Sequence, residues 1–468
     1  MHYVNPLGVD KIMTLILRFS LPAVVGMMVN SLYNIVDRMF IGNEPSLGTD
    51  GLAGITISFP ITIILMSVGV LFGIGGATYF AIKLGEGKPE EAERALGTAF
   101  GMLLFSGLVF MVLGQIFLRP LLTFFGASET VLPFAVAYMR VIFFGASFQI
   151  ISMGMNHFIR ADGSPRFAMF TMFISAGINI ALDALFIYGF HMGMAGAALA
   201  TVLAQAVSAI WVLFYFRGSW CKIRLKWKYL VPRLSLVLKL AVLGLPGFFL
   251  QLANSLINII MNKSLLFYGG DIAVSGMGVL HSLHTVMVMP VIGLRQGVQP
   301  IISFNYGARK LHRTRKASNL AILIATGIML IGFTITRLFP TQLFMLFNRD
   351  PALLEFGGKA SLFWFFGFPV VGLQVVASNF FQSIGRPKTA VFLTLTRQII
   401  FFIPLMLVMP LFIQIDGLLL AKPAADILSA AVTGIWYVVA VRNLERDTLR
   451  LDTLQAAQTA LPADSNDL

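Results

Sequence analysis

The 468-residue chain is 57% hydrophobic and only 12% charged, with 34 Lys+Arg against 21 Asp+Glu. Soluble domains average about 25% charged residues, which excludes an ordinary cytosolic enzyme, a disordered chain and a fibrous repeat. A mean hydropathy of +0.84 points instead to a polytopic membrane protein. The single cysteine, Cys221, leaves no intramolecular disulfide, zinc–cysteine site or iron–sulfur cluster.

In chain order, apolar windows predict membrane helices at 12–36, 52–82, 93–118, 130–155, 167–188 and 193–216, then at 234–267, 273–303, 315–338, 355–384, 388–413 and 417–441. Runs such as Ile61–Leu71 do not alternate, so a closed β-barrel is ruled out in favour of helices. The first window is longer than a signal-peptide core and is read as a span. The loops after even-numbered spans carry the basic residues, among them Lys83, Lys88 and Arg94, Arg160 and Arg166, Arg217–Lys239, Arg309–Lys316, and Arg386 with Lys388. The loops after odd-numbered spans carry few. By the positive-inside rule both termini are cytoplasmic, and the net charge of +13 reflects topology, not nucleic-acid binding. The polar tail 445–468 is expected to be disordered.

The two halves repeat. Leu21-Pro22 recurs as Leu245-Pro246, and Asn30-Ser31-Leu32-Tyr33-Asn34-Ile35 as Asn254-Ser255-Leu256-Ile257-Asn258-Ile259. Gly75 matches Gly297, Gly85 matches Gly307, Gly163-x-Pro165 matches Gly385-x-Pro387, and Gly196 matches Gly417. Six spans per half is an even number, so the halves enter the membrane in the same sense. The expected architecture is an all-α integral membrane protein of twelve helices in two pseudo-symmetric six-helix bundles, facing each other across a central pathway. The expected divisions are an N-lobe at 1–216, a basic cytoplasmic linker at 217–239, a C-lobe at 240–444 and the tail at 445–468.

The block at residues 21–37, the Arg160-Ala-Asp-Gly-Ser-Pro-Arg166 loop, Asn179-x3-Asp183 and Gly196-Ala-Ala-Leu-Ala-Thr201 together resemble the multidrug and toxic compound extrusion (MATE) family, in its DinF-like and MepA-like branch. The resemblance extends over all twelve spans. It implies a monomeric efflux antiporter of the bacterial inner membrane that exports amphipathic, often cationic organic molecules in exchange for H⁺ or Na⁺, with no cofactor and no ATPase partner.

Acids inside a membrane are expensive, yet the first half keeps Asp37 near the end of span 1 and Asp183 well inside span 5. Asn179 lies one turn before Asp183, and the small residues of span 6 bring Thr201 within reach. Two carboxylates, an amide and a hydroxyl suit a hard cation such as Na⁺ or a shared proton. The repeat replaces Asp37, Asn179, Asp183 and Thr201 by Met261, Phe401, Leu405 and Lys422, which argues for a single coupling site in the N-lobe. The resemblance implies the same four residues. Candidate substrate-path residues are Asn30, Tyr33, Asn34, Asn156 and Met172 in the N-lobe, with Gln251, Asn254 and Met287 in the C-lobe. Tyr faces attract cations and Met surfaces adapt to many shapes. Pro22 is read as an entry residue or a hinge of span 1. His281 and His284 are expected to bond across helices, Arg295 and Arg397 to pair with backbone carbonyls or Asp426, and Lys422 with Asp426 one turn away.

A lipid-linked oligosaccharide flippase shares the two-bundle architecture, but such proteins usually have extra spans and a more cationic cavity. An integral-membrane enzyme has no support: no Gly-x4-Gly-Lys-Ser/Thr loop, metal-ligand cluster or nucleophile elbow is present.

Overall fold

A computed structural model describes residues 5–44, 47–347 and 350–460, leaving aside the side chains at 34, 38, 43, 48–50, 271 and 447–460. Among the described residues there is no strand. Continuous apolar runs must satisfy their backbone groups internally, and the helix does this within one segment.

Six spans form the first half: Ile12–Gly42, Gly51–Gly85, Pro89–Ile116, the bent pair Leu132–Phe144 and Ala146–Ala161, Pro165–Gly189 and Gly193–Arg217. Six more follow: Leu234–Gly270, Ile272–Gly307, Leu311–Leu338, the bent pair Pro351–Trp364 and Phe368–Ser383, Pro387–Val408 and Pro410–Arg446. The bent pairs are spans 4 and 10, at equivalent places in the two halves, turning by 59° and 50°. The architecture is the expected twelve-helix, two-lobe bundle.

The repeated Gly-x-Pro motif has a local cause. Gly163 and Gly385 hold φ of 105° and 72°, a left-handed turn that favours glycine. The following Pro165 and Pro387 open spans 5 and 11, where a missing N–H costs nothing. Spans 5 and 11 each also contain a π-helical stretch, Ala184–Gly189 and Thr396–Phe402. The first follows Asp183 and the second contains Arg397, and such stretches commonly mark functional positions.

The lobes interlock at one end. Leu7, Ile12, Leu15, Ile16 and Phe19 bury in the core of the second bundle, while Leu240, from the start of span 7, buries in the first. Asn305 Nδ2 donates to the Leu7 carbonyl at 2.9 Å, and Arg313 donates to that of Asp10 at 2.6 Å. Glycines let the backbones touch: Gly85 packs on the Phe304 carbonyl, and its repeat partner Gly307 packs on the Ile82 carbonyl. Gly75 meets Leu240 and Gly244, and Gly297 meets Ser20. All of these inter-lobe contacts lie in the half of the bundle that bears the basic loops.

Two details differ from the sequence reading. The segment 217–239 is docked, and span 7 already starts at Leu234. Asp162 accepts hydrogen bonds from Lys222 N at 2.8 Å and Ile223 N at 3.2 Å, while Tyr229 and Leu230 pack against Gly97 and Gly101 of span 3. The last helix continues to Ala460, within the stretch expected to be disordered, and the rest of the tail, 461–468, lies outside the described residues. The segment has no glycine or proline there and is rich in Leu, Ala, Gln and Arg, all good helix formers.

Candidate functional site: an acidic cluster in one lobe

Span 5 presents Asn179 and Asp183 on one face, and both are buried, with Asp183 at 0% exposure. Asn179 Nδ2 donates to Thr201 Oγ1 of span 6 at 3.3 Å. That hydroxyl in turn donates to the Ala197 carbonyl at 3.1 Å, which aims its lone pairs into the cluster. Span 1 completes the group, since Asp37 interacts directly with Asp183. The structure thus brings together all four residues predicted from the sequence.

Neither Asp183 oxygen accepts a hydrogen bond from a described donor, and Asn179 Oδ1 is likewise buried without one. A carboxylate facing a carboxylate has acceptors on both sides and no proton to share unless one enters. The cluster therefore holds spare oxygen acceptors and negative charge in a dry place, which fits a proton or a small hard cation. Among the described residues no three His, Cys, Asp or Glu side chains converge, so the arrangement is not that of a transition-metal site.

Three of the four equivalent C-lobe positions are apolar core: Met261 is buried, with Phe401 and Leu405 packed against the same cluster. The fourth, Lys422, belongs to a C-lobe cluster of two cations and one acid. Asp426 accepts from Arg397 Nε at 2.7 Å and from Lys422 Nζ at 2.9 Å, and Lys422 lies 5.4 Å from the Trp364 ring centre. Two expected pairings, Arg397 and Lys422 with Asp426, are present. Two others are corrected. His284 makes no bond across helices through Nε2, which is buried without a partner, because its ring packs edge-on against Phe368 at 5.6 Å. Arg295 forms neither an ion pair nor a hydrogen bond among the described residues.

The substrate-path candidates divide. Asn156 is buried and donates to the Ala168 carbonyl at 2.9 Å, tying span 4 to span 5. Met172 packs its sulfur against Gly26 of span 1. Met287 packs against the C-lobe core. Asn254 accepts from Gln398 at 3.1 Å. Asn30, Tyr33 and Gln251 are half-buried; the side chain of Asn34 lies outside the described residues. Pro22 sits inside an unbroken helix, so it is not a fixed break. Arg160, one of the basic residues assigned to a loop, is instead 2% exposed and donates to Gln296 of span 8. Its signal in the sequence was its place at the end of an apolar run.

The MatE family model matches twice, at residues 22–185 and 236–408, which independently marks the repeat. The multidrug export protein MepA of Staphylococcus haemolyticus is 24% identical over 93% of this chain and 95% of its own length. MepA of Staphylococcus aureus is 25% identical over 93% and 95%. Among solved structures, the MATE multidrug transporter DinF-BH, solved as a complex, is 37% identical, with a TM-score of 0.87 over 93% of this chain and 97% of its own. An outward-facing MATE transporter is 22% identical, with a TM-score of 0.88 over 95% and 99%, and its likeness shows the fold. The chain belongs to the MATE family of multidrug efflux transporters, in the branch that includes the DinF-like and MepA-like exporters.

Proposed function

We propose that the protein is a secondary antiporter of the bacterial inner membrane, with both termini cytoplasmic, exporting amphipathic, often cationic organic compounds in exchange for H⁺ or Na⁺ by alternating access. The observation that carries this reading is the direct apposition of Asp37 and Asp183, beside Asn179 and Thr201, in one lobe only. The relatives reported above are multidrug exporters and transporters by name. The inter-lobe contacts all lie on the side of the basic loops, which by charge bias is cytoplasmic; the conformation is therefore read as open outward.

The coupling runs through span 1. Its first residues, up to Phe19, sit in the C-lobe core, its middle packs on span 5 at Gly26 and Met172, and its far part carries Asp37. Pro22 lies at the crossover, where it lacks the backbone N–H of a regular helix. An entering cation or proton cancels the repulsion between the two carboxylates and lets span 1 repack towards span 5. That repacking displaces the candidate drug path at Asn30, Tyr33 and Asn156, and drug leaves outward. Drug and ion then bind antagonistically, and the linkage is reciprocal. The scheme is proposed for a monomer that needs neither a cofactor nor an ATPase partner.

The test is export of a fluorescent cationic dye from proteoliposomes while pH and Na⁺ gradients are stepped separately. Asp183→Asn is expected to abolish the driven component under whichever gradient powers the wild type. Wild-type rates in the variant under both gradients would overturn the assignment.

A further inference from the structure

We propose that the small cavity lined by Arg160, Gln296 and Gln299 is a halide site that binds when the two lobes are apposed. Arg160 ends span 4 and is 2% exposed. Its Nη1 donates to Gln296 Oε1, but its Nε and Nη2 are buried with no acceptor. Arg295, one residue before Gln296, and Arg160 both exert their charge on His157. Among the described residues neither arginine has an ion-pair partner. The nearest acid in sequence, Asp162, is already engaged by Tyr215 at 2.6 Å, Lys222 N at 2.8 Å and Ile223 N at 3.2 Å.

A cavity of about 10 Å³ adjoins the guanidinium, lined by Ala77, His157 and Arg160 from one lobe and by Gln296, Gln299 and Ser303 from the other. The Gln299 amide donates to Thr78 at 2.8 Å, and the Ser303 hydroxyl donates to the Ser383 carbonyl at 2.8 Å. The buried donors beside the cavity that lack an acceptor are those of Arg160. A buried charge without a counter-charge is costly. A monoatomic anion answers the charge and the idle N–H groups together, with no second charged group to accommodate. Water fills the space but leaves the charge uncompensated. Because the walls come from both lobes, the anion favours the state in which those walls meet. Neither Asp37 nor Asp183 takes part, so the halide site stands or falls apart from the coupling assignment.

The experiment titrates chloride against gluconate at constant ionic strength on the purified full chain. It follows thermal unfolding and, in crystals grown in bromide, anomalous density. The expected result is a saturable rise in Tm with chloride and bromide, and bromide density between Arg160 and Gln299. Arg160→Gln, which removes the charge, is expected to lose the rise, while Gln296→Asn, which keeps it, retains a weakened rise. If Arg160→Gln does not fold, the wild-type titration and the density decide alone. No halide-specific shift in the wild type, an equal shift in Arg160→Gln, or water in the cavity in bromide-grown crystals would overturn the proposal.

Discussion

The two lobes share a backbone plan and differ in where they keep charge. In the N-lobe, Asp37 and Asp183 face each other across spans 1 and 5, and Asp183 has no donor of its own. In the C-lobe, Asp426 is clasped by Arg397 and Lys422 at 2.7 and 2.9 Å, and Lys422 occupies the place that Thr201 holds in the N-lobe. A satisfied ion cluster is a structural element whose loss destabilises. Asp183, whose oxygens accept from no described donor, leaves the N-lobe cluster with spare acceptors that suit a positive charge. The repeat gave both lobes the same scaffold, and the side chains divided the work.

Three substitutions and one null effect sharpen that contrast. Asp426→Asn leaves two buried cations uncompensated. It is expected to cost about 3–5 kcal/mol, the range for breaking a buried ion pair, read as a large fall in Tm of the purified protein. A stability equal to wild type would show that the C-lobe cluster is dispensable. Gly244→Ala forces a methyl group into the Leu71 carbonyl at the lobe seam, an overpacking of about 1–3 kcal/mol in the apposed state. Thiol labelling of Ser20→Cys, at the point where span 1 meets Gly297 across the same seam, in a Cys221→Ser background is expected to speed up by roughly 5–150-fold, the ratio those energies imply. An unchanged rate would mean the seam does not separate. Thr201→Val removes the acceptor of the Asn179 amide and is expected to cost about 1 kcal/mol, with a weaker ion response but intact folding. Smallest of all in stability is Asp183→Asn. The substitution takes no bond from a described donor group and removes one of two facing acids, so its Tm is expected at or above wild type while driven transport is lost.

The architecture was legible because its causes are local. Apolar windows reported the spans, and Gly163 and Gly385 reported two turns that need positive φ. The acidic cluster was legible for a different reason: carboxylates that cost energy in lipid survive only for a purpose, and the repeat showed which positions had no need of them. What remained hidden depends on partners far apart in the chain. Nothing in the residues around Leu7–Phe19 announces that they pack in the opposite lobe, since an apolar stripe does not specify which apolar stripe it meets. Asp162 reads as a loop acid until Lys222 and Ile223 are seen to dock on it. Arg160 reads as one more cytoplasmic cation until burial and Gln296 set it apart.

The central claim is that an ion entering the Asp37–Asp183 pair and a drug on the proposed N-lobe path oppose each other. Equilibrium binding of a fluorescent cationic dye to purified wild type and Asp183→Asn, as pH is lowered and separately as Na⁺ is raised, addresses it most directly. Wild-type affinity is expected to weaken about 5–150-fold with one of the two ions, and the variant is expected to bind with an affinity independent of both. An ion response of the same size in Asp183→Asn, or none in the wild type, would contradict the account.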